Sequence, residues 1–590
     1  MRRSTQNQHS SRALRTSRSQ QHLLKFFRNS ASPRVTQPNT NSLEHHIDND
    51  SLHKVRTMLS STRSLIWGGL LALASFATAS PVATGPLPIA IRDSSPPSSL
   101  ENRDYNTSSL LSPVVFIPPT IQQDLTSLLS PSALVILPSS PSFPQYTSRW
   151  SLNTRTNSPS YAVIVIPASE RDVSLTIQYA NAHSIPFLAT TGTHGTWHGL
   201  SKLQGGMAIW TRNLTKMEFA ADGNSATLGG GLRGNDVVPA LWARGKQTTT
   251  GSCRCVSLLG PALGGGHGWL QGQYGLGADQ ILSARVVLAN GTAVKASNTE
   301  NSDLFWALRG AGHNFGVVTE VEYKLYDAVR PNWAYQSFTF TQDRLEDVYR
   351  VHNEVMKNQN QYVVYWSLWR LVPEVDAVNP ILVSTVYYNG PASEALPYFA
   401  PFAALNPLDT TPVQTTDYPG LAAAAQFRVT DWACQPKTGA TVYGMDVDTY
   451  DLPALRQSYN FLSQMIRTEP ALSASMAYLE GYSLQAVQAV PYESTAFALR
   501  DRKLLYGFLV TYEGATNKTL DAQAQKWGEK IRNAAYGGVS RKYAYVNYAK
   551  GSETMQQMYG YEGWRQERLK QLKRKYDPRG RFSFYAGIKA

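Results

Sequence analysis

Residues 251–268 read GSCRCVSLLGPALGGGHG, two cysteines one residue apart followed by four glycines within five positions. Gly264, Gly265, Gly266 and Gly268 have no Cβ to keep an anion away from backbone N–H groups, so the run is a candidate pyrophosphate cradle. Cys253 and Cys255 do not suit plain packing, since buried cysteine normally sits among apolar neighbours. Zinc does not suit them either. C-x-C with one remote cysteine, Cys434, and no paired histidines lacks the spacing of a structural zinc site. With three cysteines in 590 residues the chain is no disulfide scaffold, and one thiol is free, intermolecular or otherwise engaged.

Upstream of this block, ATTGTHGTWHGL (189–200) puts His194 on a glycine- and threonine-rich turn straight after the apolar IPFLA. The local sequence leaves His194 open between a solvated loop residue and a ring at a close approach. LGGGLRGN (228–235) contains Gly229-x-Gly231-x-x-Gly234, but no Asp or Glu stands between Asp236 and Asp279 to hold a ribose. A dinucleotide fingerprint therefore fails, and a tight strand-to-helix turn remains.

The flanks are regular. YAVIVIP, IPFLAT and SATLGGG read as strands. SERDVSLTIQYANAHS reads as a helix capped by Ser169, and GNDVVPALWARG as another. ILSARVVLANGTAVKAS is a hairpin with Asn290-Gly291 as a two-residue turn. SDLFWALRG is a capped short helix, and FGVVTEVEYKLY alternates Val317, Thr319, Val321, Tyr323 and Leu325 on one face. From about 330 the strands turn aromatic, as in YVVYWSLWRLV, PILVSTVYYNG and RKLLYGFLVTYEG, which predicts a second domain with a largely antiparallel sheet. WRQERLKQLKRKYDP is a basic helix with an apolar stripe of Leu569, Leu572 and Tyr576, its charges read as a solvated face. The fold class is α+β.

The His194 loop, the 251–268 block and DLFWALRGAGHNFGVVT, in this order and separation, resemble the FAD-binding domain of the vanillyl-alcohol oxidase/PCMH superfamily. YAYVNYAKG…LKRKYDPRGRF resembles the berberine bridge enzyme tail. The chain is thus identified as a member of the berberine bridge enzyme-like oxidoreductases over most of 145–590, with fungal-style wording in GSCRCV and GGGHG. The resemblance implies a two-lobed FAD-binding domain at 145–328, a substrate domain at 329–535, and a segment at 536–590 returning to the flavin. It also implies bicovalent FAD, with His194 joined to the 8α-methyl and Cys253 to C6. Gly192, Gly195, the 264–268 glycines, Asn547 and Tyr548 would lie against the cofactor. Tyr545, in the Y-x-N motif, would be the general base as a hydride leaves for N5, helped by a cation or hydrogen bond to lower its ordinary pKa of about 10. The chain departs from the family pattern at Thr193 and Ser257, where glycine is usual. Cys255 and Cys434 are left paired or both free.

The implied activity is an FAD-linked oxidase with O2 as acceptor and a small-molecule substrate. The aromatic second domain favours tailoring of a natural product. A carbohydrate oxidase is the alternative, and a non-redox isomerase or a non-catalytic flavin-binding protein belongs to another class.

The N-terminus bears on location. Residues 1–57 hold ten Lys/Arg against three Asp/Glu, seven of the chain's +13 charges, in a composition that leaves a chain unfolded. The remaining body is mildly basic, without the basic aromatic stripe of a nucleic-acid binder. MLSSTRSLIWGGLLALASFATASPVA from Met58 has the n-region, apolar h-region and A-x-A site of a signal peptide spanning 58–79. Translation from Met58 is the expectation, with 1–57 an extension that is not translated. A membrane anchor is disfavoured, because the apolar run is shorter than the roughly 20 residues a bilayer needs. Residues 80–144 read as leader and linker. Sequons at Asn106, Asn213, Asn290 and Asn517 fit a secreted glycoprotein.

Overall fold

The computed structural model describes residues 116–151, 158–437, 439–513 and 517–590, all of them within the unit Pro97–Ala590. The signal-like segment, the basic extension and Asn106 lie outside the described residues.

Two sheets build the first part. Tyr161–Ile166, Gly206–Trp210 and Phe187–Thr190 run parallel, with Leu134–Ile136 added antiparallel at one edge. The apolar YAVIVI run suits a strand covered on both faces. The helix Glu170–Ala182 packs on this sheet, and its Ser169 cap accepts the Asp172 N–H at 3.2 Å. The second sheet is antiparallel, in the order Met217–Phe219, Ser225–Gly229, Val317–Lys324, Ile281–Val287, Ala293–Ser297.

Three expectations need correction here. The linker does not reach residue 144: Ile121–Leu128 is a helix whose Ile121 and Leu125 are buried with Val163 and Ile177. Sequence reading missed it because the helix is short and sits between the prolines Pro118, Pro119 and Pro131. The hairpin does not use a two-residue turn. Leu288 N–H reaches Thr292 O, and Gly291 at φ +85° takes the left-handed position of a longer loop. The helix Ser302–Ala311 follows Asn301 at φ +45°, which makes no side-chain cap.

The third sheet has eight antiparallel strands, running from Asp409–Thr410 and Asn332–Phe340 through Asp376–Tyr388, Val363–Val372, Met476–Tyr482 and Leu504–Tyr512 to Gly439–Val447, with Gln414–Asp417 also on Asn332–Phe340. Strand parity divides its side chains. Val363, Tyr365 and Trp369 enter a core with the helices Leu345–Val355, Ala392–Ala403, Leu452–Thr468 and Lys518–Tyr536. Val364 and Trp366 face the other way, packing with Trp269, Leu270, Tyr387 and Tyr482. The aromatic strands are therefore shared between a sealed core and a face turned toward the first part.

Val546, Ala549, Leu569, Leu572 and Tyr576 are buried against Leu228, Phe305 and Val321. The helix Gly563–Tyr576 is not simply a solvated charged face, because Arg565 and Lys573 are also buried. Lys573 Nζ donates to Asp577 at 2.6 Å and to the carbonyls of Asn314 and Phe582.

Candidate active site at the seam of the sheets

The loop 191–197 leaves the strand Phe187–Thr190 and runs along the edge strand of the third sheet, where Thr196 Oγ1 accepts the Val442 N–H. Gly192 is required by a close approach: a Cβ there would stand 2.9 Å from the Ser257 nitrogen. Thr193 occupies φ +52°, the left-handed region that a β-branched residue adopts at a cost. Its carbonyl accepts the Trp150 N–H and its hydroxyl donates to Ser148 O, which hold it there.

His194 is partly buried. Its ring stacks on Trp150 at 4.4 Å, and its Nε2 lies 3.2 Å from the Ala433 carbonyl. Burial pushes its pKa down to about 4, with Lys437 and Arg149 acting in the same direction against the carbonyl. The imidazole is neutral and nucleophilic at physiological pH.

The glycine run does not offer its N–H groups to an anion. Gly264 and Gly265 donate to Pro261 and Ala262 carbonyls, Gly266 and His267 to the Tyr545 hydroxyl at 3.0 and 3.3 Å, and Gly268 to Gln271 Oε1. The glycines serve packing instead: a Cβ on Gly268 would sit 1.9 Å from Thr250 O, and one on Gly264 2.6 Å from Asn547 Oδ1. The open donors lie in the other loop. Among the described residues, no acceptor receives a backbone N–H from Gly192 through Trp197. Gly195 belongs to this row, and Arg149 holds its carbonyl at 2.9 Å.

Tyr545 does not have the geometry of a base. Its hydroxyl oxygen receives Gly266 N–H, His267 N–H and Asn547 Nδ2 at 2.6 Å, which leaves no lone pair for a substrate proton. Burial raises its pKa to about 12, and those three donors only partly offset it. Asn547 spends its second Nδ2 hydrogen on Pro261 O.

Tyr548 is the tyrosine with an acid. Its hydroxyl donates to Glu480 Oε1 at 2.8 Å, and Tyr482 donates to Oε2 at 2.5 Å. Burial lifts the Glu480 pKa to about 7, with both hydroxyls pulling it back. Asp446, which accepts the Tyr545 N–H at 2.5 Å, is likewise raised to about 7 by burial. Cys253 is half-buried beside this group. Burial and the Glu480 charge push its thiol up to about 12, so it rests protonated. Sequence reading missed Glu480, although Tyr478-x-Glu480-x-Tyr482 puts an acid on the same strand face as two aromatics. Trp150 and the Ala433 carbonyl were illegible, because the contacts of Ala433 with Trp150 and His194 each span more than 200 residues.

Cys255 and Cys434 form a disulfide and Cys253 is free, which closes the cysteine count. His267 adds an orphan: its Nδ1 pairs with Gln271 Oε1 at 2.8 Å, and its buried Nε2 has no partner. The open amide row, this orphan nitrogen, the neutral His194 ring and the free Cys253 thiol fit a large anionic heteroaromatic cofactor. They define a flavin-type oxidoreductase site.

The comparisons agree. The FAD binding domain family matches residues 161–297, and the berberine and berberine-like family matches 544–589. The FAD-linked oxidoreductase chyH of Penicillium rubens is 39% identical over 473 residues, covering 79% of this chain and 93% of its own length. The FAD-linked oxidoreductase anuG of Penicillium roqueforti is 39% identical over 533 residues, covering 89% and 99%. A xylooligosaccharide oxidase from Myceliophthora thermophila shares the fold at TM-score 0.69 and 22% identity, covering 80% and 99%. The chain belongs to the berberine bridge enzyme-like FAD-linked oxidoreductases and is an FAD-dependent enzyme.

Proposed function

We propose that this enzyme is a secreted oxidase that removes a hydride from a C–H bond of an aromatic natural product and passes the electrons to O2. The carrying observation is Glu480, buried with the hydroxyls of Tyr482 and Tyr548 beside Cys253. Bound FAD supplies the hydride acceptor, and the amide row 192–197 with the Arg149-braced Gly195 would hold its pyrophosphate. His194 and Cys253 would carry the covalent links. Tyr548 takes the substrate's O–H or N–H proton as its own proton moves to Glu480 Oε1, so the resting state requires a charged Glu480. Tyr482, on the second oxygen, keeps the carboxylate aimed. Tyr545 acts as a brace, joining the Y-x-N segment to the glycine run.

The sheet face supports an aromatic substrate. Half-buried Trp366, Leu368, Phe427, Met476 and Tyr478 supply apolar area, and Arg370 on the same strand face has no acceptor among the described residues. Such a wall suits a planar molecule carrying an acidic group better than a neutral sugar. We read 329–535 as the substrate domain and 536–590 as the returning segment, and extend the FAD domain back to 116.

Peroxide release tests the reading. Aromatic acids and alcohols are expected to reduce the flavin and yield H2O2. Oligosaccharides alone doing so would make it a carbohydrate oxidase, and turnover without peroxide or flavin reduction would make it an isomerase.

A further inference from the structure

The loop carrying Ala433 is fastened to the block carrying Cys253. Cys434 is disulfide-bonded to Cys255, and Arg254 between the two block cysteines donates its N–H to Phe427 O at 3.0 Å and its guanidinium to Pro419 O at 2.9 Å. On the other side, Lys437 N–H reaches Trp150 O at 2.6 Å. The Ala433 carbonyl thus has a fixed position, and two rings meet there: Trp150 Nε1 donates to it at 2.9 Å, and His194 Nε2 lies 3.2 Å away. Trp150 also stacks on the His194 ring at an interplanar angle of 18°.

A carbonyl oxygen only accepts, so the ring nitrogen facing it must carry the hydrogen. His194 is therefore the Nε2–H tautomer, and the lone pair that can form a bond is on Nδ1. The stack fixes the plane in which that lone pair points. Neither constraint survives if Ala433 moves.

We propose that the Cys255–Cys434 disulfide is a prerequisite for flavin attachment at His194: it holds the Ala433 carbonyl that, with Trp150, sets the ring's tautomer and plane. This rests on His194 being the attachment residue. Attachment breaks one 8α C–H bond and forms the Nδ1–C bond, while Nε2 keeps its hydrogen on the Ala433 carbonyl and the ring is left an imidazolium. The two electrons released leave with O2 as H2O2, which takes one proton from the 8α carbon and one from solvent. Ala433, Trp150 and the disulfide are positioning groups, and no reacting atom belongs to them. Their effect falls on the formation of the link, and turnover of flavin already linked is spared.

Peptide mapping by mass spectrometry reads the fraction of flavin bonded to the peptide containing residue 194. Cys255→Ser and Cys434→Ser are expected to bind FAD without covalent attachment at His194, the linked fraction after a fixed time falling at least about tenfold, since small misplacements of a reacting group cost one to two orders of magnitude. Trp150→Leu keeps the disulfide and is expected to lower the linked fraction too. It decides the matter where a serine variant does not fold. Wild-type linkage in any folded variant overturns the proposal. A wild-type protein with no flavin on the residue-194 peptide would instead sink the attachment reading on which it rests.

Discussion

Three N–H groups converge on the Tyr545 oxygen, whereas two phenolic hydroxyls converge on the Glu480 carboxylate. These arrangements do opposite things with a proton: the first blocks it and the second can store it. Tyr548→Phe or Glu480→Gln should slow flavin reduction by substrate about 10²–10⁴-fold in stopped-flow, the usual worth of a positioned base. Tyr545→Phe should leave chemistry within a few-fold and cost stability, on the order of 1–3 kcal/mol for the stranded donors. A Tyr545→Phe enzyme with normal stability and lost reduction would restore Tyr545 as the base. The pH dependence follows from Glu480, raised to about 7 by burial. Reduction should rise with pH through about 7, and Glu480→Gln should abolish that limb. Stability runs the other way. A carboxyl whose folded pKa is raised contributes stability below its unfolded pKa, and this is lost as pH rises through the folded value. Thermal melts between pH 5 and 8 should decline in the wild type and decline less in Glu480→Gln. A residual slope should remain from Asp446, whose pKa shifts in the same direction.

Within single elements, legibility followed local chemistry. Tyr161–Ile166, Glu170–Ala182 with its serine cap, and the paired aromatic strands were all readable from apolar runs, period two and capping residues. The helix Gly563–Tyr576 shows where such reading stops. Its apolar stripe predicts the buried Leu569, Leu572 and Tyr576, but charge alone cannot distinguish a solvated lysine from Lys573, which is 2% exposed. Lys573 owes its burial to acceptors from distant loops, the carbonyls of Asn314 and Phe582. The glycine run failed for a related reason. Sequence reveals the absence of a Cβ, and only the fold reveals whether protein or ligand fills the space. Lys573→Met should cost about 3–5 kcal/mol in denaturant unfolding, because it strands the buried Asp577 carboxylate. An exposed neighbour such as Arg574→Met, whose pairing with Glu567 is exposed at both ends, should change stability by under about 1 kcal/mol. Equal effects would return Lys573 to the solvated face.

At the scale of the whole molecule, location is written in parts that the catalytic seam does not use. A disulfide closing 179 residues is a bond of the kind that persists in oxidising compartments, and Asn213, Asn290 and Asn517 are all exposed. No helix among the described residues is long and apolar enough to cross a membrane. The disulfide and the three exposed sequons join the signal-like segment at 58–79 as the grounds for predicting export with cleavage after Ala79. The mature chain should then begin near Ser80, without the eleven basic residues of 1–79 and with eight fewer than the thirteen net positive charges of the full sequence. Amino-terminal sequencing of protein from culture medium checks this, and recovery of Arg2 or its neighbours would defeat it. Glycan removal should sharpen and lower the apparent mass, with stepwise loss of the shift in Asn213→Gln, Asn290→Gln and Asn517→Gln. The last of these has a second effect. Asn517 Oδ1 caps the helix Lys518–Tyr536, accepting the N–H groups of Thr519 and Leu520. Its Nδ2 remains available to a glycan while the oxygen caps. Asn517→Gln should therefore lose the glycan and about 1 kcal/mol of capping together. Thr519→Ala removes the sequon and keeps the cap, so it should lose the glycan alone. A stability loss of the same size in Thr519→Ala would assign the effect to the sugar.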